Sequence, residues 1–332
     1  MKPYRIWGVT AALGTSAVIA VAIINYHRTG VAPPRHEVSD GNVTQERTQW
    51  RERIREIGAD QAYGEFKVAH GSMVFGRRHT LAHLWGEVLF QESGLEGVAV
   101  CDSAFEFGCY HGFFTAAVGS KGIGILPELD RACRSEALPS ACQHGIGHGI
   151  LEYFGHDKLL TALESCAAVP QLEPVAGCTA GVFMEYNLPI TVTPGVDARM
   201  QFREVDEQKP YAPCPDLPSK FRQSCYHELV QLWDRYYDYQ KIGEFCNALQ
   251  ETIERNACFQ GAGNIAAPSS QYDVAAAIRK CLEMPGDDNQ TICRIASSWS
   301  FWAQERYRHL ASEPCRGLAP DIVVRCAPPQ NR

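Results

Sequence analysis

CQHGIGHGILEYFGHDKLLTALESCAAVPQLEPVAGCTAGVFMEYN, residues 142–187, contains a whole structural unit and the start of the next. From His156 to Cys166, Leu159, Leu160 and Leu163 recur at helical spacing and share one face. Pro170, Pro174 and Gly177 follow within a few residues and must stop that helix. Cys178 then opens a second helical stretch. The segment predicts an αα-hairpin whose outer helix (A) ends at one cysteine and whose inner helix (B) begins at the next. A disulfide across such a connecting loop of about ten residues contributes about 2–3 kcal/mol in the chain-entropy model.

The same grammar runs outward in both directions. The 14 cysteines fall in seven pairs: Cys101/Cys109, Cys133/Cys142, Cys166/Cys178, Cys214/Cys225, Cys246/Cys258, Cys281/Cys293 and Cys315/Cys326. Their first members advance by 32, 33, 48, 32, 35 and 34 residues. A period in the low thirties matches one helical hairpin per unit, which buries its apolar face only by stacking on its neighbours. The expected fold is all-α, with disulfide-stapled hairpin repeats forming a superhelix or toroid. DQAYGEFKVAH and RRHTLAHLWGEVLF make a preceding unit without cysteines. The step of 48 marks an insertion at 188–213, with four prolines and a β-branched stretch, expected as a long loop or small hairpin. A short unit from His309 is expected to cap the stack.

Residues 6–24 are largely apolar, long enough for one N-terminal transmembrane helix, with Lys2 and Arg5 ahead of them. A cleaved signal peptide is the rival reading, disfavoured by the length of the run and the lack of a clean small-x-small site. The expected organisation is a cytoplasmic stub and membrane anchor over 1–27, a polar tether over 28–47 and a repeat ectodomain over 48–332. The bulk of the chain is then periplasmic, extracellular or lumenal. The cysteines agree, because paired thiols of this density persist in oxidising compartments. No CxxC occurs, and spacings of 8 to 12 suit a hairpin staple better than a zinc knuckle. The net charge is −7 with acids and bases interspersed, which excludes sequence-independent nucleic-acid binding.

Over residues 60–332 this organisation resembles Sel1-like and tetratricopeptide αα-repeats, especially the cysteine-rich secreted kind with one disulfide per hairpin. The resemblance implies a right-handed superhelix with one set of helices lining a concave face. It brings no catalytic residues.

A second pattern rides on the first. HxxxHxxxE occurs twice, as His79/His83/Glu87 and His144/His148/Glu152. Two residues after the opening cysteine of helix B stand His111, His144, Ala180, His227, Gln260 and Ile295; His79 takes the equivalent place in the unit without cysteines. Four residues on come Thr115, His148, Met184, Gln231, Asn264 and Trp299, with His83 equivalent to His148. Residues at i and i+4 share a helical face about 6 Å apart, so two imidazoles so placed can bind one metal ion. If the B helices line the inside of a curved stack, His79, His83, His111, His144, His148 and His227 point to a common space. Glu185 and Glu228 lie in the same helices and can add oxygens. Imidazole suits copper, iron and zinc alike. Glu87 and Glu152 lie further along the same stripe, as solvated or supporting groups and as candidate proton acceptors in metal-assisted oxidation or hydrolysis. Two other readings stay open: a ladder in which each polar row residue bonds to the next unit, and a non-catalytic scaffold that takes a protein or peptide in its concave groove.

Glycine stands at the third residue after cysteine in CYHGFF, CQHGIG, CTAGVF and CFQGAG. Inside a helix it costs about 1 kcal/mol against alanine. Its expected compensation is close approach of a neighbouring helix.

Overall fold

The computed structural model describes residues 40–173, 175–189 and 203–326, which are helical and contain no strand. The apolar run at 6–24 lies outside the described residues, as do most of the tether and half of the insertion. Among the described residues no helix is long and apolar enough to cross a membrane. One boundary moves: helix α1 spans Asp40–Ile57, so residues 40–47 are helical rather than tether. Glu46 accepts a 2.7 Å hydrogen bond from Trp50 Nε1, and Arg47 pairs with Glu87, which ties this first stretch to the body of the protein.

The unit without cysteines consists of α2 (Ala59–His70) and α3 (Phe75–Ser93). An aromatic cluster takes the place of a staple. Trp50 meets Phe66 edge-on at 5.2 Å between ring centres, and Tyr63 stacks on Trp85 at 5.2 Å. Next come α4 (Gly108–Lys121), α5 (Leu126–Cys133), α6 (Pro139–Phe154), α7 (Leu159–Ser165) and α8 (Cys178–Asn187). Beyond the insertion follow α9 (Ser219–Trp233), α10 (Tyr239–Asn247), α11 (Thr252–Ser269), α12 (Val274–Leu282), α13 (Asp287–Ala303) and α14 (Pro320–Cys326).

The long helices α3, α4, α6, α8, α9, α11 and α13 pack each on the next in that order. Helix α4 is enclosed nearly all round, as expected of a helix with neighbours on several faces: ten of its 14 residues are buried. The short helices α5, α7, α10 and α12 bury one face each. Asp238 and Asp273 start α10 and α12 by accepting the backbone N–H of Lys241 at 2.8 Å and Ala276 at 2.7 Å.

Seven disulfides join the two cysteines of each unit: Cys101–Cys109, Cys133–Cys142, Cys166–Cys178, Cys214–Cys225, Cys246–Cys258, Cys281–Cys293 and Cys315–Cys326. Their Cα separations run from 5.3 to 6.3 Å, and no cysteine is free. The pairing is as expected, and the first cysteine closes helix A in four units, at Cys133, Cys166, Cys246 and Cys281, but the rule that the second opens helix B needs correction. Only Cys178 opens its helix, α8. Cys109 does not open α4, which starts one residue earlier at Gly108, after a left-handed Phe107. Cys142 does not open α6 either: Pro139, at the N-terminal turn, starts that helix three residues earlier. Proline suits this place because its fixed φ is helical and its missing N–H would have no partner there.

Cys225, Cys258 and Cys293 depart further and lie well inside α9, α11 and α13. SKFRQS, TIERNA and DDNQTI contain no glycine or proline, so the helix begins six residues before the cysteine. Acids in the first turn, Glu254 and Asp287/Asp288, favour that start in α11 and α13. Cys101 lies in a loop after a 3₁₀ turn, Cys214 opens a 3₁₀ turn, and Cys326 ends a helix. The described end of the insertion, 203–213, is turn and coil, anchored by Arg203 on Asn187 and on the Ala212 carbonyl.

The helix row curls until its ends meet. Phe75 N–H donates to Gln271 Oε1 at 3.3 Å, Glu106 N–H to Gln304 Oε1 at 3.4 Å, and Arg306 Nη1 to the Gly71 carbonyl at 2.6 Å. At this seam Phe105, Glu106 and Phe107 are all left-handed, with φ of 54°, 55° and 65°. Such residues cost roughly 1–3 kcal/mol each outside glycine and cluster where a structure has a use for them. The buried Arg78–Glu106 pair, 2.6 Å apart, anchors the turn.

Candidate metal centre

Backbone contact between inner helices sets the site. A methyl group on Gly112 would collide with the His83 carbonyl, one on Gly181 with the His144 carbonyl, and one on Gly261 with the His227 carbonyl. The glycine after the row position in α4, α8 and α11 thus lets each of these helices lie directly on the histidine-bearing turn of its neighbour. This close approach accounts for the glycines of the repeat and brings imidazoles of successive units into contact. Cys109 and Cys142, two residues before His111 and His144, are fully buried and disulfide-bonded. They staple the histidine-bearing helices α4 and α6 and offer no thiolate to a metal.

Five of the six expected histidines gather. His79 and His83 come from α3, His111 from α4, and His144 and His148 from α6. Neighbouring ring centres lie 4.1–5.4 Å apart, from the stacked pair His111–His148 to His111–His144. Four are buried, while His144 is half-buried. Potential ligand atoms cluster within 4.8 Å of one another in two groups, His79/His83/His111 and His111/His144/His148, with His111 common to both.

In the first group His83 Nε2 lies 3.2 Å from His79 Nε2 and 3.2 Å from His111 Nδ1. His79 Nδ1 donates to the Phe105 carbonyl at 2.7 Å, which fixes the neutral tautomer and leaves its Nε2 as a lone pair. One N–H at most is left to serve both 3.2 Å contacts. A cation between the three nitrogens would satisfy all of them. Nitrogens bound to one ion at about 2.0–2.1 Å lie about 3.3–3.4 Å apart at the tetrahedral angle, close to the spacing seen. The left-handed turn at 105–107 therefore has a local role: it aims a carbonyl at His79.

In the second group His148 Nδ1 donates to Glu185 Oε2 at 2.7 Å. Its Nε2 is buried without a hydrogen-bond partner. A carboxylate behind one ring nitrogen and a bare lone pair on the other is the arrangement of a metal-binding histidine. His144 Nε2 lies 3.3 Å from Met184 Sδ.

Electrostatics favour the metal-binding form. His79, His111, His144 and His148 are all held below the ordinary histidine range, first by burial, which penalises the charged ring. Neighbouring imidazoles push the same way at His111, His144 and His148. Neutral imidazole is the form a metal takes. These buried histidine groups can hold a metal ion.

The sixth histidine stands apart. His227 Nδ1 donates to Glu228 Oε1 at 2.8 Å, and its Nε2 accepts from Asn264 Nδ2 at 2.9 Å, so both nitrogens are occupied within α9 and α11. Glu185 and Glu228, expected as oxygen donors, instead hold the rear nitrogen of a histidine. Glu87 and Glu152 are buried rather than solvated, and Glu87 pairs with Arg47 at 2.6 Å. His156 stacks on Tyr186 at 4.1 Å and bonds its carbonyl, and His309 is exposed. Sequence reasoning missed Met184 as a possible donor, although it occupies the row position of His148. It also missed the Phe105 carbonyl, which carries no residue-type signal.

Comparison with known protein families, with curated proteins and with solved structures returns no match to this chain. The reading of its chemistry rests on the site itself.

Proposed function

We propose that this chain is an extracytoplasmic repeat protein, held at a membrane by residues 6–24, that binds one or two transition-metal ions through His79, His83, His111, His144 and His148. The observation that carries the reading is the triangle of imidazole nitrogens around His83 Nε2, with 3.2 Å sides to His79 and His111, enclosed in a largely buried histidine cluster. The seven disulfides support an oxidising compartment. An all-imidazole group suits zinc, copper or iron. Such an ion supplies Lewis-acid or electron-transfer chemistry when bound, in keeping with metal-assisted hydrolysis or oxidation.

The chain's own groups orient and neutralise. The Phe105 carbonyl and the Glu185 carboxylate set the tautomers of His79 and His148. Half-buried His144 gives the cluster its edge toward solvent, where a substrate would approach. Arg47 engages Glu87, so we assign that carboxylate to fastening α1 on α3 rather than to proton transfer. Glu152, buried one turn beyond His148, keeps the role of candidate proton acceptor.

A second reading has its own support. Gln231, Gln260, Asn264 and Trp299, on the row in α9, α11 and α13, are half-buried and varied, as in a scaffold that takes a peptide in its groove.

Elemental analysis of the full chain, purified oxidised and without a histidine tag, separates the two. Near-stoichiometric metal that disappears in His79→Ala/His83→Ala/His144→Ala/His148→Ala supports the centre. No metal in the parent protein, even after reconstitution with copper, iron and zinc, favours the scaffold.

A further inference from the structure

The two histidine groups differ in one donor. Alongside the second lies a thioether: Met184 Sδ is 3.3 Å from His144 Nε2. Sulfur and nitrogen bound to a common ion at about 2.3 and 2.0 Å lie about 3.5 Å apart at the tetrahedral angle, so this spacing suits two ligands of one metal. Met184 stands six residues after the helix-opening cysteine, where α6 carries His148. The sulfur therefore fills a ligand position of the repeat.

The next residue fits the same picture. Glu185 reaches across to His148 Nδ1 at 2.7 Å, so α8 meets α6 with two adjacent side chains, the thioether toward His144 and the carboxylate behind His148. His148 Nε2 is buried and unpartnered. The competing explanation, an N–H···S hydrogen bond from His144, leaves that lone pair unused. It also relies on sulfur as a weak acceptor.

Resting on the metal-centre reading above, we propose that His144, His148 and Met184, with His111, form a copper(I) site distinct in chemistry from the all-nitrogen group. Thioether and imidazole together select a soft monovalent ion over zinc or ferrous iron. All cysteines are in disulfides, so no thiolate competes for the ion. His144 and Met184 are half-buried while His111 and His148 are buried, so the ion enters past the sulfur edge.

The test loads the full, untagged chain with Cu(I) under ascorbate and without oxygen, desalts it, and records X-ray absorption at the copper edge. Affinity is read by competition with a chromogenic Cu(I) chelator. The expected result is a sulfur neighbour of copper in the parent protein, which disappears in Met184→Leu together with at least about a tenfold loss of Cu(I) affinity. Met184→His recovers affinity with a nitrogen-only environment. A nitrogen-only environment in the parent protein, or equal Cu(I) affinity in Met184→Leu, overturns the proposal while leaving a metal centre intact. Should Met184→Leu fail to fold, the parent spectrum alone decides. If the parent retains neither copper, iron nor zinc, the metal-centre reading falls and this site with it.

Discussion

Glu185 has no exposure to solvent and faces His148. Its carboxylate keeps the Nδ1 proton in place and makes Nε2 a better donor. Glu185→Gln keeps the size but removes the charge, and is expected to weaken metal binding by about 10–100-fold with little change in fold. Competition with a metal indicator measures this; unchanged affinity would remove Glu185 from the site. The imidazoles themselves give a pH signature. Burial holds His79, His111, His144 and His148 below the ordinary value of about 6.5. The unfolded chain therefore takes up more protons than the folded one in the interval just below that value. Stability rises with pH through the interval and is lost as acid is added. The metal-free protein should melt at a lower temperature near about pH 5.5 than near about pH 7.5. A flat melting profile would mean that the rings are not held neutral.

For the helices, the glycine contacts make the sharpest prediction. Gly112→Ala puts a methyl group against the His83 carbonyl, and the obstacle is backbone, which cannot swing aside. We expect a loss of about 1–3 kcal/mol or more in a denaturant titration. Gly119→Ala, on the same helix with open space around it, should be neutral or slightly stabilising. Equal effects from the two would refute backbone contact as the reason for the glycines. Much at this scale was legible in the sequence. Cysteine pairs marked the hairpins, and the HxxxH motifs marked two of the three helices that form the cluster. Helix starts were less legible. Cys109 and Cys142 mark the starts of α4 and α6 to within a turn, but SKFRQS, TIERNA and DDNQTI read as either linker or helix until packing decides. The turn at Phe105–Phe107 was illegible, because left-handed backbone is ordinarily signalled by glycine or asparagine and neither occurs there. Whether two helices bring His227 into the cluster or pair it with Glu228 and Asn264 depends on the curvature of the row, which no local pattern encodes.

Across the whole folded unit, the first and last repeats join where the Glu106 backbone N–H binds Gln304 and Arg306 binds the Gly71 carbonyl, beside the Arg78–Glu106 pair. Glu106→Ala leaves a buried guanidinium without its carboxylate, a change that costs about 3–5 kcal/mol in other buried pairs. Urea unfolding should show that loss. Small-angle scattering should show an expanded particle if the seam opens while the disulfides hold the units. A loss below about 1 kcal/mol would mean that the Arg78–Glu106 pair is an incidental contact. The Phe105 carbonyl next to it orients His79, so metal affinity should fall in the same variant.

His111 belongs to both histidine groups, and one ring cannot serve each as though the other were empty. With Nδ1 turned toward His83, whatever settles in the first group alters the charge and orientation of the ring offered to the second. The two occupancies are thus thermodynamically linked. The factor by which the first ion changes affinity for the second must equal the factor in reverse, whatever its sign. With an ion in each group, that single imidazole would make the two one cooperative, or anticooperative, unit.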